Sequence, residues 1–475
     1  SVLLEGAELP QALAAQEAVL AQTLAGEPEP LVAVVSDSAP AELERIVFIT
    51  DGMHTHRHRV LVAAFEEENP DIRVDLAAPH WISFAGRSFR TLDRAHTGQQ
   101  ADCFMYRPLT TEKEVAQVLI LDALLELAPD LSREAFYPIA MNAFLHEGSL
   151  IGLPYQVRLP HIGYDPLLFD AAGIPYPQPG WNLQDFLDTA IALTAGEGRQ
   201  KQYGYVPFQG EMIDFWIFLH AFGINLIDAS VEPPTAKFDT AAVAEALRWY
   251  VALSETYGVK PVYRTNLHDA DLARRVEYRT ERRAIFVTRR GAMWHDDGSE
   301  SEGAYRTPTA ANEERQYTTF PVVPGAEVAL PVEVTGLYIS AETERRQACW
   351  HWLAFLLDHD PGIGIPARRS MAESEEFRLR AGPATGVMLA SAEQFSQRHL
   401  AMPPEWMDLP AWYSIAVTRL LEEGIPAEEA LASTQVEFER YRDCVIAGSL
   451  FELTDGIARL RCAAGASGYV IVNEE

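Results

Sequence analysis

A chain of 475 residues, 48% hydrophobic and 22% charged, is too apolar to be disordered and too long for one ordinary core; the length fits about three domains. Its formal net charge of −30 sets up a field that repels phosphate backbones and anionic lipid, which argues against nucleic acid and membrane surfaces as partners. No apolar run reaches the roughly 20 residues of a membrane span, and Ser1-Val2-Leu3-Leu4 is not a basic region leading into an apolar core. The chain therefore reads as either cytosolic or a mature, trimmed form.

In chain order, residues 1–44 read as an appendage: a helix from Pro10 to Ala25, then a run of breakers. A buried-type strand, Ile46–Thr50, is turned by Asp51-Gly52. An amphipathic helix follows over Arg59–Glu68, with Val60, Ala63, Ala64 and Phe65 inward and a stop at Asn69-Pro70. Ile72–Ala77 alternates as a strand, Phe84–Thr97 reads as a helix closed by Gly98, and Asp102–Tyr106 is a third strand. This alternation predicts a parallel sheet with right-handed crossovers. Ligands of such sheets sit beyond the carboxyl ends of the strands, which here carry Asp51, His54, His80-Trp81 and Tyr106-Arg107.

The stretch Gly148 to Asp165 holds two apolar strand-like runs, Leu150–Leu153 and Ile162–Tyr164, split by Pro154 and Pro160. Prolines remove ladder donors and hold their neighbours extended. The pattern suits a rigid crossing between two packed bodies that displays Tyr155, Gln156 and Arg158, or else a hairpin inside one domain. Beyond it come helices over Trp181–Thr194, Ile213–Gly223 and Val243–Ser254, and a strand over Tyr203–Phe208. Glu211 precedes the second of these helices, and Trp216 is its aromatic residue placed nearest a ligand. Residues 297–316 are polar and rich in breakers, hence an exposed loop. Glu422–Arg442 is the closing helical region.

Metal chemistry is not indicated. His54, His56 and His58, with His80 nearby, fit neither a helical HExxH pattern nor a zinc finger, and alternate histidines on a loop would point apart. His54 is read as a ligand hydrogen-bonding group. His295-Asp296-Asp297 reads as a turn. Cys103 and Cys349 are core residues, while Cys444 and Cys462 flank a loop-rich tail. No cofactor is expected, and the GxSxG, Walker and GxGxxG patterns that would favour an enzyme are missing from the sequence.

Several segments, taken in order, resemble one family. They are the opening strand, then Asp51-Gly52, then FEEENPDIRV and an Ala-Asp strand; FYPIAMNAFLHEGSLIGLPYQ followed by IGYDPLLFDAAGI; Trp181-Asn182-Leu183; RRGAMW at 289–294; TGLYIS at 335–340; and IPARRS at 365–370. The pattern is similar to the family-1 extracellular solute-binding proteins, the sugar receptors of ABC importers. The resemblance implies the periplasmic-binding-protein type II fold, in which two discontinuous α/β lobes are joined by a multi-strand hinge. Residues 45–157 and 317–366 would form lobe 1, and 158–316 and 367–448 lobe 2. A tail would follow at 449–475, with crossings at 155–160, 317–324 and 362–367.

It further implies no catalysis but capture of a carbohydrate between the lobes by a monomer. Delivery to importer membrane subunits would follow, outside the cell or in the periplasm, possible lipid anchoring included. Export would expose Cys444 and Cys462 to oxidising conditions, under which they pair. Sugars stack their C–H faces on aromatic rings and need fixed polar partners for their hydroxyls. The implied ligand-binding residues are therefore Asp51, His54, Trp81, Tyr106, Tyr155, Arg158, Glu211, Trp216, Trp294, Trp412 and Tyr413. Trp412-Tyr413 resembles the aromatic pair that caps the sugar in maltose-type receptors. Arg158 falls where that subgroup has a carboxylate, so it meets either a sugar acid or phosphate, or an inter-lobe carboxylate. The enzymatic alternative is a glycosidase, which needs two facing carboxylates from a set such as Asp51, Glu211 and Asp296.

Overall fold

The computed structural model describes residues 43–475 except 52–53, 78–79, 85–86, 92–100, 110–111, 208–210, 229, 263–271, 298–314, 325–329, 331, 396–406, 408, 452–455 and 468–475. The helix expected at Pro10 to Ala25 lies outside them. Residues 44–475 form one compact unit, built around two sheets.

The first sheet grows from the expected strand–helix–strand unit. β1 (Glu44–Ile49) pairs in parallel with β2 (Ile72–Ala77) and with β5 (Cys103–Tyr106). Between β1 and β2 lies α1 (Thr55–Glu68), which buries His58, Leu61 and Phe65 at helical spacing. Its inward face is thus rotated from the expected one, and Val60 is 55% exposed.

The expected helix over Phe84–Thr97 is corrected over its described part. β3 (His80–Phe84) and β4 (Arg87–Thr91) form an antiparallel hairpin around Ala85-Gly86. Two runs rich in aromatic and β-branched residues, separated by a glycine-containing pair, favour a hairpin over a helix; residues 92–97 lie outside the described set.

β6 (Leu153–Arg158) runs straight through Pro154. It pairs with β11 (Glu333–Ile339), whose register shifts between Thr335 and Gly336, opposite the proline that has no N–H to donate. β12 (Ile365–Pro366) closes the sheet, giving the order β12–β6–β11–β5–β1–β2. α6 (Arg346–Leu357) packs on it, with the Trp352 ring 5.7 Å from Phe48 and 5.1 Å from Phe65.

The second sheet runs β8–β9–β7–β10, from β7 (His161–Tyr164), β8 (Tyr203–Val206), β9 (Gly291–Asp296) and β10 (Gln316–Thr319). β8 and β9 are parallel, and β7 opposes both β9 and β10. Its helical layer comprises α2 (Leu183–Leu193), α3 (Glu211–Ala221), α4 (Ala241–Glu255), α8 (Leu409–Glu422) and α9 (Ala427–Gly448). Asn182 caps α2 with a reciprocal bond from Asp185, as the sequence pattern suggests. Between α4 and α8 in sequence lie α5 (Leu272–Val287), α6 and α7 (Thr385–Phe395).

Over its described residues the tail is largely helical: Gly456–Ser467 is a helix, α10, joined to α9 by the Cys444–Cys462 disulfide. Alanine, leucine and arginine dominate that stretch and are strong helix formers. Among the described helices, none is long and apolar enough to cross a membrane.

The chain passes from the first sheet to the second at Leu159-Pro160 and returns between Thr319 and Glu333. It leaves again after Pro366, towards the helices 375–381 and α7, which lie against the second sheet and its neighbours.

Candidate functional site

The strand directions place one edge of each sheet at the Leu159-Pro160 crossing. The carboxyl ends of β1, β5 and β6 share an edge with the amino end of β11; the carboxyl ends of β8, β9 and β10 share an edge with the amino end of β7. The described parts of the edges touch where Arg158 meets Asp297, 3.6 Å away.

On the first edge, Asp51 follows β1 and accepts the His54 backbone N–H at 2.8 Å; the same oxygen lies 2.6 Å from His54 Nδ1. His54 Nε2 is 2.8 Å from Gln156 Oε1, and the Gln156 amide reaches Thr335 Oγ1 at 3.4 Å. His58 Nδ1 lies 2.5 Å from Thr50 Oγ1 and its Nε2 3.3 Å from the Tyr155 hydroxyl. Asp51, His54, His58, Tyr155 and Gln156 are all buried, so this network is polar but closely satisfied. Helix α1 begins at Thr55, which puts His54 and His58 on one face at i, i+4 and turns His56 to solvent. Alternate histidines do point apart, as expected, while His54 and His58, four residues apart, come together.

Burial lowers the His58 pKa to about 3, and His295 on β9 to about 4. Burial likewise raises the Tyr155 hydroxyl well above its usual value. Each histidine folds neutral, whereas in the unfolded chain it binds a proton below about pH 6.5. The unfolded state then holds more protons, so stability falls as pH drops from about 6.5 towards 4, the lower end of the window for His295 and still above that for His58. Urea unfolding at pH 7 and pH 5 should show a lower midpoint at pH 5. Equal midpoints would mean that these rings are protonated in the fold.

Arg158 ends β6 and ion-pairs with Glu333, its register partner on β11, as well as with Asp297. Burial opposes its charge, but the two carboxylates outweigh burial and hold the guanidinium charged. Of the two readings of Arg158, the structure favours the inter-sheet ion pair.

Across the crossing, His161 and Asp296 are register partners with Nε2 and Oδ1 3.7 Å apart. His295-Asp296 thus ends a strand instead of forming a turn. Trp294 lies on Gly163, where an added Cβ would come within 2.4 Å of the indole. The Arg315 guanidinium stands 4.7 Å above that ring, which is 1% exposed.

The other expected aromatics lie apart. Trp216, 9% exposed, packs on His220 and Tyr413. Tyr413 is enclosed by Phe215 and Phe238, and Trp412 by Phe438 and Tyr441 of α9. The pair that resembles a sugar-capping pair is thus buried: α9 covers the first turn of α8 and encloses Trp412. Tyr106 ends β5, 2% exposed, with the Arg107 guanidinium 4.9 Å from its ring. Trp81 stands on β3 opposite Arg90, and Glu211 opens α3; their side chains lie outside what is described. The structure thus gathers Asp51, His54, Tyr155 and Arg158 at one edge. Sequence reasoning missed His58, Thr335, Glu333 and Asp297 there. The i, i+4 histidine spacing was the available signal for His58; strand register, which supplies the others, is not written in the chain. Among the described residues, no cluster suits a metal ion.

The family model for bacterial extracellular solute-binding proteins matches residues 58–362. The chain belongs to this family, one of receptors and not of enzymes. Among solved structures, maltose-bound MalE3 of T. maritima is 16% identical with a TM-score of 0.62, covering 83% of this chain and 99% of that one. A substrate-binding protein of Listeria monocytogenes in complex with cycloalternan is 17% identical at 0.60, covering 84% and 99%. A solute-binding protein of Agrobacterium vitis with bound D-mannitol is 18% identical at 0.61, covering 84% and 98%. These likenesses establish the type II periplasmic-binding fold. No curated protein sequence matches.

Proposed function

We propose that this chain captures a neutral carbohydrate between its two sheet-bearing lobes outside the cytoplasm and delivers it to the membrane subunits of an ABC importer. The observation that carries the reading is the meeting of two carboxyl-end edges at the Leu159-Pro160 crossing, in a chain of this family. Support for the ligand class comes from structural neighbours whose bound molecules are maltose, cycloalternan and D-mannitol. Arg158 is already neutralised by Glu333 and Asp297, which removes the reason to expect a sugar acid. Asp51, His54, Tyr106 and Tyr155, at the first-sheet edge, are proposed to serve the cleft, with Trp81 and Glu211 expected to join them. The lobes would divide the chain near 158, 317 and 367, and the receptor would act as a monomer.

Ligand contacts with both lobes bind the closed state better and shift the population towards it. A thermal-shift screen over neutral sugars, sugar alcohols and sugar acids should show stabilisation by a neutral member. Small-angle scattering with that member should then give a monomer mass and a smaller radius of gyration. An unchanged radius at saturation would overturn closure. Chromatography after incubation with oligosaccharides should return them intact; hydrolysis products would restore the glycosidase alternative.

A further inference from the structure

The three chain segments that link the sheets converge on one side chain. The first ends its first-sheet strand at Arg158, immediately before Leu159-Pro160. The second re-enters that sheet at Glu333, which ion-pairs with Arg158. The third leaves from β12, which the chain enters through Gly364, whose φ of +63° lies in the left-handed region; a Cβ there would stand 2.6 Å from the Val157 carbonyl oxygen and 2.9 Å from Arg158 Cγ. Only a glycine lets this segment close on the arginine stem. The third segment is fixed in turn: Arg380 donates to the Gly364 carbonyl at 2.6 Å and to Asp360 at 3.0 Å, and the Ala367 N–H donates to the Tyr155 carbonyl at 3.0 Å. From the opposite sheet, Asp297 directly after β9 supplies the second carboxylate.

We propose that Arg158 is the hinge pin of this receptor: a positioning residue, touching no ligand, that ties all three linking segments together and sets the balance between open and closed forms through Asp297. The proposal rests on the closing-cleft reading above. Its physical basis is charge. With the guanidinium present, Glu333 of the first edge and Asp297 of the second are both held to one cation. Without it, the charge contact between the two edges is lost and their spacing is less tightly fixed.

The test needs no sugar. Glu67 on α1 and Asp188 on α2 are exposed, one on each body, and both unpaired native thiols are buried. Spin labels on Glu67→Cys and Asp188→Cys therefore report the inter-body distance by pulsed dipolar spectroscopy. Arg158→Met keeps the aliphatic stem against Gly364 and removes the charge. It should lengthen and broaden the ligand-free distance distribution. Arg158→Lys should fall between Met and the parent. Asp297→Asn, close to isosteric, should shift the distribution the same way by less.

A role confined to fold stability would lower the unfolding midpoint and leave the distances of the folded protein unchanged. A folded Arg158→Met with the parent distribution overturns the proposal; if that variant does not fold, an unshifted Asp297→Asn does so. The carbohydrate reading is judged separately, by whether any sugar shortens the distance in the parent. A parent blind to every sugar but with Arg158-dependent distances would sink that reading and keep the hinge pin.

Discussion

Trp412→Ala should destabilise the ligand-free protein by about 3–5 kcal/mol, the usual cost of deleting a buried large aromatic side chain. Trp412 is 4% exposed and its ring lies 5.3 Å from Tyr441 and 5.9 Å from Phe438. Truncation leaves a cavity between α8 and α9 that neither helix can fill without losing its other contacts. Urea unfolding without ligand measures the effect. A near-parent midpoint would return Trp412 to the rim of a cleft and reopen its role as a sugar platform. The neighbouring residue supplies a control: the Tyr413 hydroxyl is buried without a hydrogen-bond partner among the described residues. Removing an unsatisfied buried hydroxyl relieves a desolvation cost, so Tyr413→Phe should be neutral or stabilising in the same assay.

The contrast between α1 and α8 explains how much could be read from the chain. β1, α1 and β2 are consecutive, and local periodicity with the Asp51-Gly52 and Asn69-Pro70 punctuation places them within a few residues. The discontinuous type II fold was also legible, through the order of several weak segments. The environment of Trp412 was not, because it is set by α9, which begins after the break at Glu423–Pro426 and folds back over the first turn of α8. First-turn geometry predicts projection only when nothing covers the helix end.

Arg158 shows the same limit in electrostatic form. Its position at a crossing was one of two readings that Pro154 and Pro160 left open, and the family resemblance chose it; its partners lie 139 and 175 residues further along, at Asp297 and Glu333. A cation seen without its counter-ions invites an anionic ligand. The helix expected from Phe84 failed for a local reason: His80 to Thr91 contains apolar residues that satisfy helical spacing and strand alternation about equally, and strand pairing of 80–84 with 87–91 won.

Reduction of the Cys444–Cys462 disulfide should cost about 3 kcal/mol, the scale expected for a closed loop of 15 to 20 residues. The bridge joins residues 18 apart, with Cα atoms 5.7 Å apart, at the far end of α9 and within α10. α10 is a short helix packed along α9: Cys462 and Ala466 are buried, and Arg459 donates to the Leu450 carbonyl at 3.3 Å. Isolated helices of that length are marginal in water, so the covalent link adds to this packing in holding α10 against α9. Thiol titration of denatured, unreduced protein should therefore count two free thiols, those of Cys103 and Cys349, and four after reduction. Cys462→Ser should lower the urea midpoint and open α10 to limited proteolysis while the sheets stay protected. Four thiols before reduction would remove the bridge. A bridge whose loss leaves both the midpoint and the cleavage pattern unchanged would show that α10 holds to α9 by packing alone.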